Sequence, residues 1–326
     1  MNLRTTLFVF LCFCATTVLR AERVDMLKAG AKANGKTLNT KLINSTIDRL
    51  NRGGGGTLFF PAGTYLTATI HMKSNITLYL ESGAILRFSD KFEDYLPFVT
   101  LRWEGTVMKS LSPLIYAHSA DNVTISGRGT LDGNGLKWWL WEFDTRKVIK
   151  ENGGKLPALD KLQQMWVDAN KDLEISDYYK PSLERRMFRP PFIQFYECTN
   201  ILIENVKIIN SPFWTINPAF CDNVTIHGVT INNPSSDPKG PNTDGINPSS
   251  CRNVRISDCF ISVGDDCITI KSGRDADGRK YGKACENITI TNCIMLSGHG
   301  GVVIGSEMSG GCLLYTSPSP RDAHES

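Results

Sequence analysis

Apolar and polar residues alternate in short runs that return along the chain. Starting at Asn200, Asn223, Asn253 and Asn287 the sequence reads NILIENVKI, NVTIHGVTI, NVRISDCFI and NITITNCIM. Pairs such as Val224 and Ile226, Val254 and Ile256, and Ile288 and Ile290 fall on one side of each run. A period of two marks a half-buried strand. The phrases begin 23, 30 and 34 residues apart, a spacing that points to stacked repeats. No helix-length periodic run separates them, which argues against alternating strands and helices. The pattern predicts an all-β chain, a right-handed parallel β-helix, with weaker copies beginning at Asn75 and Asn122.

Three stretches break the pattern. Residues 40–51 place Ile43, Ile47 and Leu50 on one helical face, and a helix there would cap the open end that a solenoid must cover. TLFFPAGTYL and NITLYLESGAIL follow it as the first coils. Residues 137–191 contain Trp138, Trp139, Trp141 and Trp166, many charges, and Arg185, Arg186 and Arg189. Such an insertion projects from one coil, and its aromatics suit either stacking on sugar rings or packing onto the coils. A second insertion, 274–283, is rich in Arg and Lys.

Two columns run through the repeat. Cys198, Cys221, Cys251 and Cys285 each lie two residues before the repeat Asn. Stacked coils would bring neighbours within about 4.8 Å, which suits a ladder of buried thiols and also permits a disulfide. The Asn column reads as turn-stabilising, since amides bond along a stack. Four of the five N-x-S/T sequons, at Asn44, Asn75, Asn122, Asn223 and Asn287, fall in the repeat phrase, so they are weak evidence for glycosylation.

Composition adds limits. Residues 1–21, with Arg4 ahead of an apolar run, read as a secretory signal, a membrane-anchored N-terminus being the alternative. No other segment is long enough to span a bilayer, so a soluble, exported, extracellular protein is expected. About 300 residues remain, enough for one large core, giving a single domain over 22–311. The formal net charge of +3 gives no nucleic-acid footprint and does not oppose an anionic partner.

The candidate chemistry lies between residues 242 and 307. Aligning Ile216, Ile246, Ile268 and Val302 puts Asp244 and Asp266 in one column, and Asp265 and His299 in the next. Three carboxylates and an imidazole would share one patch, unless a bulge intervenes. Crowded carboxylates raise at least one pKa, so that one acid stays protonated while another ionises. Cleavage of a glycosidic bond uses that pairing. A calcium site or turn-capping aspartates are the alternatives.

Asn242-Thr243-Asp244, Gly264-Asp265-Asp266 and Gly298-His299-Gly300, together with GTLFFPAGTYL, SPFWTINP and GSEMSGG, resemble the family 28 glycoside hydrolases, the polygalacturonases. The resemblance runs from about Val24 to Gly311. It implies hydrolysis of α-1,4-linked galacturonic acid with inversion, with Asp265 as general acid and Asp244 and Asp266 activating water. His299 would support the acid or bind sugar, and Asn242 would contact substrate. Lys271 would face the substrate carboxylate, or be a plain surface lysine. The expected partner is an anionic polysaccharide, pectin or homogalacturonan. A monomer is expected, with neither metal nor other cofactor. Inverting carboxylates stand roughly 6.5–9.5 Å apart, more than one coil step, so inversion comes from the resemblance alone. The insertions and GSEMSGG are more similar to exo-acting, bacterial-type members.

One departure stands out. The resemblance implies an Arg-Ile-Lys motif and several coils after His299. The sequence instead passes into LLYTSPSPRDAHES, without repeat Asn or alternation. Residues 312–326 read as a foreign tail on an incomplete solenoid that could lack activity. A rhamnogalacturonan or xylogalacturonan hydrolase, a calcium-dependent pectate lyase, and a non-catalytic carbohydrate-binding solenoid remain as other functions.

Overall fold

A computed structural model describes residues 21–153, 160–171, 189–234 and 236–311. The expected leader, the tail, Arg185 and Arg186 lie outside the described residues. The chain winds as a parallel β-helix whose coils feed three sheets. The first sheet has eight strands, from Glu22–Asp25 through Asp222–His227 and Arg252–Ser257 to Glu286–Thr291. The second, also eight-stranded, runs from Asn34–Leu38 to Ile294–Ser297. The third starts at Ile70–His71, Ile115–His118 and Ile193–Tyr196. It continues through the single-residue pairings of Ile193, Ile216, Ile246 and Ile268, and ends with Ile268–Ile270 against Val302–Ile304.

Parallel pairing without slippage turns the sequence repeat into interior columns. Val123, Ile201, Val224, Val254 and Ile288 stack directly, and the first four are buried. Because side chains alternate across a strand, a one-residue slip would turn this whole column outward. Burying the apolar face therefore fixes the register.

The repeat Asn closes each turn. Asn75, Asn122, Asn200, Asn223, Asn253 and Asn287 all have φ between 54° and 62°, a left-handed conformation that Asn tolerates better than most residues. Asn122 donates to Asn75, Asn223 to Asn200 (2.7 Å) and Asn287 to Asn253 (3.0 Å). Asp121 and Asp222 fill the gaps by accepting from Asn200 and Asn253. The cysteine column is a ladder of buried free thiols, with no disulfide among the described residues. Cys221 Sγ, for example, donates to the Phe195 carbonyl (3.0 Å).

Helix Thr40–Arg52 buries Ile43, Ile47 and Leu50 and contacts the first and third sheets, as a cap should. The coils begin earlier than the sequence pattern indicated. Glu22–Asp25 and Asn34–Leu38 already pair with Gly56–Phe60 and Gly63–Thr67, but their sequences, ERVD and NGKTL, carry no apolar alternation. The large insertion forms helices Leu136–Glu151 and Lys161–Asn170. Trp138, Trp139 and Trp166 are buried. Trp138 meets Phe92 edge-on at 4.4 Å between centroids, and Trp139 Nε1 donates to the Ser211 carbonyl (2.9 Å). These tryptophans pack the insertion onto the solenoid and are not available to a sugar. An antiparallel hairpin, Val99–Trp103 with Thr106–Ser110, lies beside the third sheet, tied to it where Arg102 Nη1 donates to Ser249 and Ser250.

At the opposite end of the described stack, Val302 and Ile304 lie against the buried Ile268 and Ile270 but are themselves about half exposed. Among the described residues, no helix is long and apolar enough to cross a membrane.

The Asn column makes a specific stability prediction. Asn223→Ala keeps a Cβ at φ 56° and loses the ladder bond, so it should cost roughly 1–2 kcal/mol or more. Asn223→Gly loses the same bond but relieves the strain, and should cost clearly less. Thermal or denaturant unfolding of the two variants checks the order.

Candidate active site

Coil-to-coil hydrogen bonds set the site. Gly245 N–H donates to the Asp266 carbonyl (2.9 Å), Cys267 N–H to that of Gly300 (2.8 Å), and His299 N–H to that of Asp265 (2.8 Å). Asp244, Asp266 and Gly300 therefore share one column, and Asp265 and His299 the next. The pairing irregularity at Ile261/Ser262 lies before Asp265 and His299, and the pairing that follows it keeps its register. Two glycines permit so close a stack. A Cβ on Gly264 would sit 2.2 Å from the Gly240 carbonyl oxygen, and one on Gly298 2.6 Å from that of Asp265.

The carboxylates differ in surroundings. Asp244 is 3% exposed. Its Oδ2 accepts from Asn247 Nδ2 (3.0 Å) and lies 3.8 Å from Lys271 Nζ, whereas its buried Oδ1 has no hydrogen-bond partner. Burial pushes its carboxyl up to about 7; Asp265 and Asp266 push the same way, and Lys271 and Asn247 oppose. Asp266 is also raised, first by burial and then by Asp265, against Lys271 and His299. Asp265 is half-buried and faces donors: the Asp266 N–H (3.1 Å), His299 Nδ1 (3.1 Å) and, at 3.4 Å, Asn242 Nδ2.

His299 is exposed, and its Nε2 lies 2.7 Å from Lys239 Nζ. An ammonium can only donate, so Nε2 accepts and Nδ1 carries the hydrogen toward Asp265. Asn242 is held from behind. Its Oδ1 accepts from Arg189 (2.9 Å) and Arg146 (3.4 Å), and Arg189 also donates to the Pro241 carbonyl (2.6 Å). Arg189 and Glu142 are both fully buried, 3.5 Å apart. The insertion thus orients Asn242 toward the carboxylates. Lys271 is not a surface lysine. It is 4% exposed, 2.8 Å from Glu307 and 4.3 Å from the Trp214 ring centre. An open cleft of about 570 Å³ joins Asn242, the three carboxylates and Lys271, with Glu104 and Arg274 on its wall; His299 acts on it through Asp265.

All six residues singled out in the sequence come together here. Glu307, Trp214 and Arg274 were not assigned roles, although they lie in GSEMSGG, SPFWTINP and the basic insertion. Arg189 stood out only as one of the charges of the insertion and Glu104 gave no signal, because only the folded insertion and hairpin bring them to the site. Donor atoms of Asp265, Asp266 and His299 lie within 4.8 Å of one another. They suit calcium poorly, since calcium takes six to eight oxygens and both imidazole nitrogens are already engaged, one by an ammonium.

Three carboxylates in one lateral cleft of a parallel β-helix, one of them bonded to a histidine, form an acid/base centre of the kind that glycoside hydrolases use. Residues 180–312 match the model for glycosyl hydrolases family 28. A probable polygalacturonase of Vitis vinifera is 32% identical over 90% of this chain and 53% of its own length. An exo-poly-alpha-D-galacturonosidase of Dickeya chrysanthemi is 26% identical over 91% and 49%. Among solved structures, a hyperthermoactive exopolygalacturonase from Thermotoga maritima aligns with a TM-score of 0.75 and 39% identity, over 89% of this chain and 64% of that one. The chain is polygalacturonase-like, with a family 28 match over residues 180–312, and it spans about half the length of these curated relatives.

Asp244 binds a proton more tightly when folded than an ordinary aspartate, near 3.8, would. The folded state therefore holds more protons than the unfolded one between about pH 4 and 7, and stability falls as pH rises through that window. Asp244→Asn removes the penalty. It should melt higher than the parent at pH 7, by an amount on the order of a few kcal/mol at most, and the gap should close toward pH 4. Melting curves across that range test this.

Proposed function

We propose that this chain is, or is part of, a secreted glycoside hydrolase that cleaves α-1,4-galacturonosidic bonds of pectin by general acid/base catalysis with inversion. The observation that carries the reading is the convergence of Asp244, Asp265 and Asp266 with His299 in one open cleft. Hydrolysis needs a proton donor for the leaving oxygen and a base for water, and two of these carboxyls are raised while a third faces hydrogen-bond donors. The relatives named above supply the substrate class.

By motif position Asp265 serves as acid, Asp244 and Asp266 as the pair that activates water, and His299 as the donor that orients Asp265. Burial in the free cleft favours the proton on Asp244 and Asp266. The three carboxyls form one coupled system, so a pH profile reports apparent values of the cluster and not of single residues. The cleft wall carries five acids against Lys271 and Arg274. Protons held on Asp244 and Asp266 lessen the repulsion an anionic chain would meet. Attack from a chain end is favoured by the insertion and hairpin that flank the cleft, and by the likeness to exo-acting relatives. The molecule is taken to act as a monomer outside the cell.

Incubation of the full chain with polygalacturonate should release reducing ends without the ultraviolet absorbance of an unsaturated sugar, which a lyase would produce. Asp265→Asn should lower turnover by roughly 10²–10⁴-fold while substrate binding persists; a binding module would lose nothing. Turnover should be bell-shaped in pH, with its acidic limb near 7, the value to which the base Asp244 is pushed. Absence of hydrolysis over the whole pH range would defeat the reading for this chain.

A further inference from the structure

The interior side of the cleft holds a line of alternating charges that the acid/base scheme does not use. It starts at Glu104 on the hairpin tip. Glu104 Oε2 lies 3.6 Å from Arg274 Nη1, and Arg274 Nη2 lies 2.6 Å from Glu307 Oε1. Glu307 Oε2 meets Lys271 Nζ at 2.8 Å, and Lys271 Nζ meets Asp244 Oδ2 at 3.8 Å. Five charges of alternating sign therefore run from the hairpin to a carboxyl of the site. Asp244, Lys271 and Glu307 come from successive coils, so the same stacking that builds the site builds this line.

We propose that Lys271 is a positioning residue for the reaction, an ammonium clamped by Glu307 and Arg274 so that its charge is directed at Asp244 and not at a substrate carboxylate. This rests on the hydrolase reading of the cleft. Three observations restrict Lys271 to that task. Its side chain is almost wholly buried. The Trp214 ring covers it at 4.3 Å. The backbone of Gly305 presses on it, since a Cβ there would lie 3.0 Å from Lys271 Cγ and 3.2 Å from Nζ.

A buried ammonium between two carboxylates would carry one negative charge too many; Arg274 supplies the balance, and Glu104 in turn partners Arg274. The charged groups around Asp244 are thus Asp265 and Asp266, which disfavour its ionisation, and Lys271, which favours it. His299 acts on Asp266. Lys271 is the cation on the other side of the balance. Removing it should make Asp244 harder to ionise.

The experiment uses the full 326-residue chain in two arms. In the first, kcat/KM and kcat on polygalacturonate are followed against pH for the parent, Lys271→Met and Lys271→Arg. The acidic limb should move up by about one pH unit or more in Lys271→Met, because unit charges ~4 Å apart interact strongly even when screened. It should stay in place in Lys271→Arg. A raised KM with an unmoved limb would mean that Lys271 grips substrate, and would overturn the proposal. The second arm does not depend on turnover. Lys271→Met should melt lower than the parent at pH 7, and Asp244→Asn should stabilise Lys271→Met by clearly more than it stabilises the parent. A gain no larger than in the parent, or a double variant that fails to fold as the single does, overturns the clamp. If the parent shows no hydrolysis, the reading of the cleft fails, and the melting arm still decides whether Lys271 serves Asp244.

Discussion

Parallel pairing between successive coils is the constraint on which the molecule depends. Each coil is held to the next by backbone hydrogen bonds whose register is enforced by burial of columns such as Val224, Val254 and Ile288. A slip of one residue would expose the column and at the same stroke turn Asp265 away from His299. The stability of the solenoid and the geometry of the cleft are therefore one property. No separate loop has to be ordered to bring Asp244, Asp266 and Gly300 into line, because Ile246, Ile268 and Val302 already are.

That coupling explains what could be read from the sequence. Period-two alternation and a recurring Asn identify the coils, because both arise from contacts between equivalent positions in neighbouring turns. The same alignment places Asp244, Asp265, Asp266 and His299 side by side without coordinates. The early strands were missed because Glu22–Asp25 and Asn34–Leu38 form the outermost, largely exposed edge of the stack, held by backbone pairing to the next coil, so they need no apolar alternation. Arg189 and Glu142 were missed because their pairing depends on how an insertion folds back on the coils, which no repeat encodes. Lys271 was visible but its environment was not. Its neighbours Glu307 and Trp214 come from two other coils.

Burial of charge marks the cleft off from the rest of the surface. Elsewhere, ion pairs such as Arg49 with Glu22 and Lys73 with Asp48 are about half exposed, where such pairs contribute little. In the cleft, Asp244, Lys271 and Glu307 are nearly inaccessible. Groups taken out of water cost stability unless paired, and Asp244 is left with one oxygen unpartnered. The protein thus holds a carboxyl in a state that packing alone would not select. Such destabilised groups cluster where chemistry is done.

The unequal steps between repeat phrases carry a last consequence. Turns of 23, 30 and 34 residues close on the same Asn conformation and feed the same strands, so the extra length is expelled sideways without disturbing the stack. The steps from Asn75 to Asn122 and from Asn122 to Asn200, 47 and 78 residues, are longer still. The hairpin that carries Glu104 grows from the first and reaches the cleft wall, and the helix that carries Glu142 grows from the second and bonds Asn242 on that wall through Arg146. A lineage built on this frame can remodel the rim of its groove by lengthening or trimming one connection at a time, while the reactive centre is inherited unchanged.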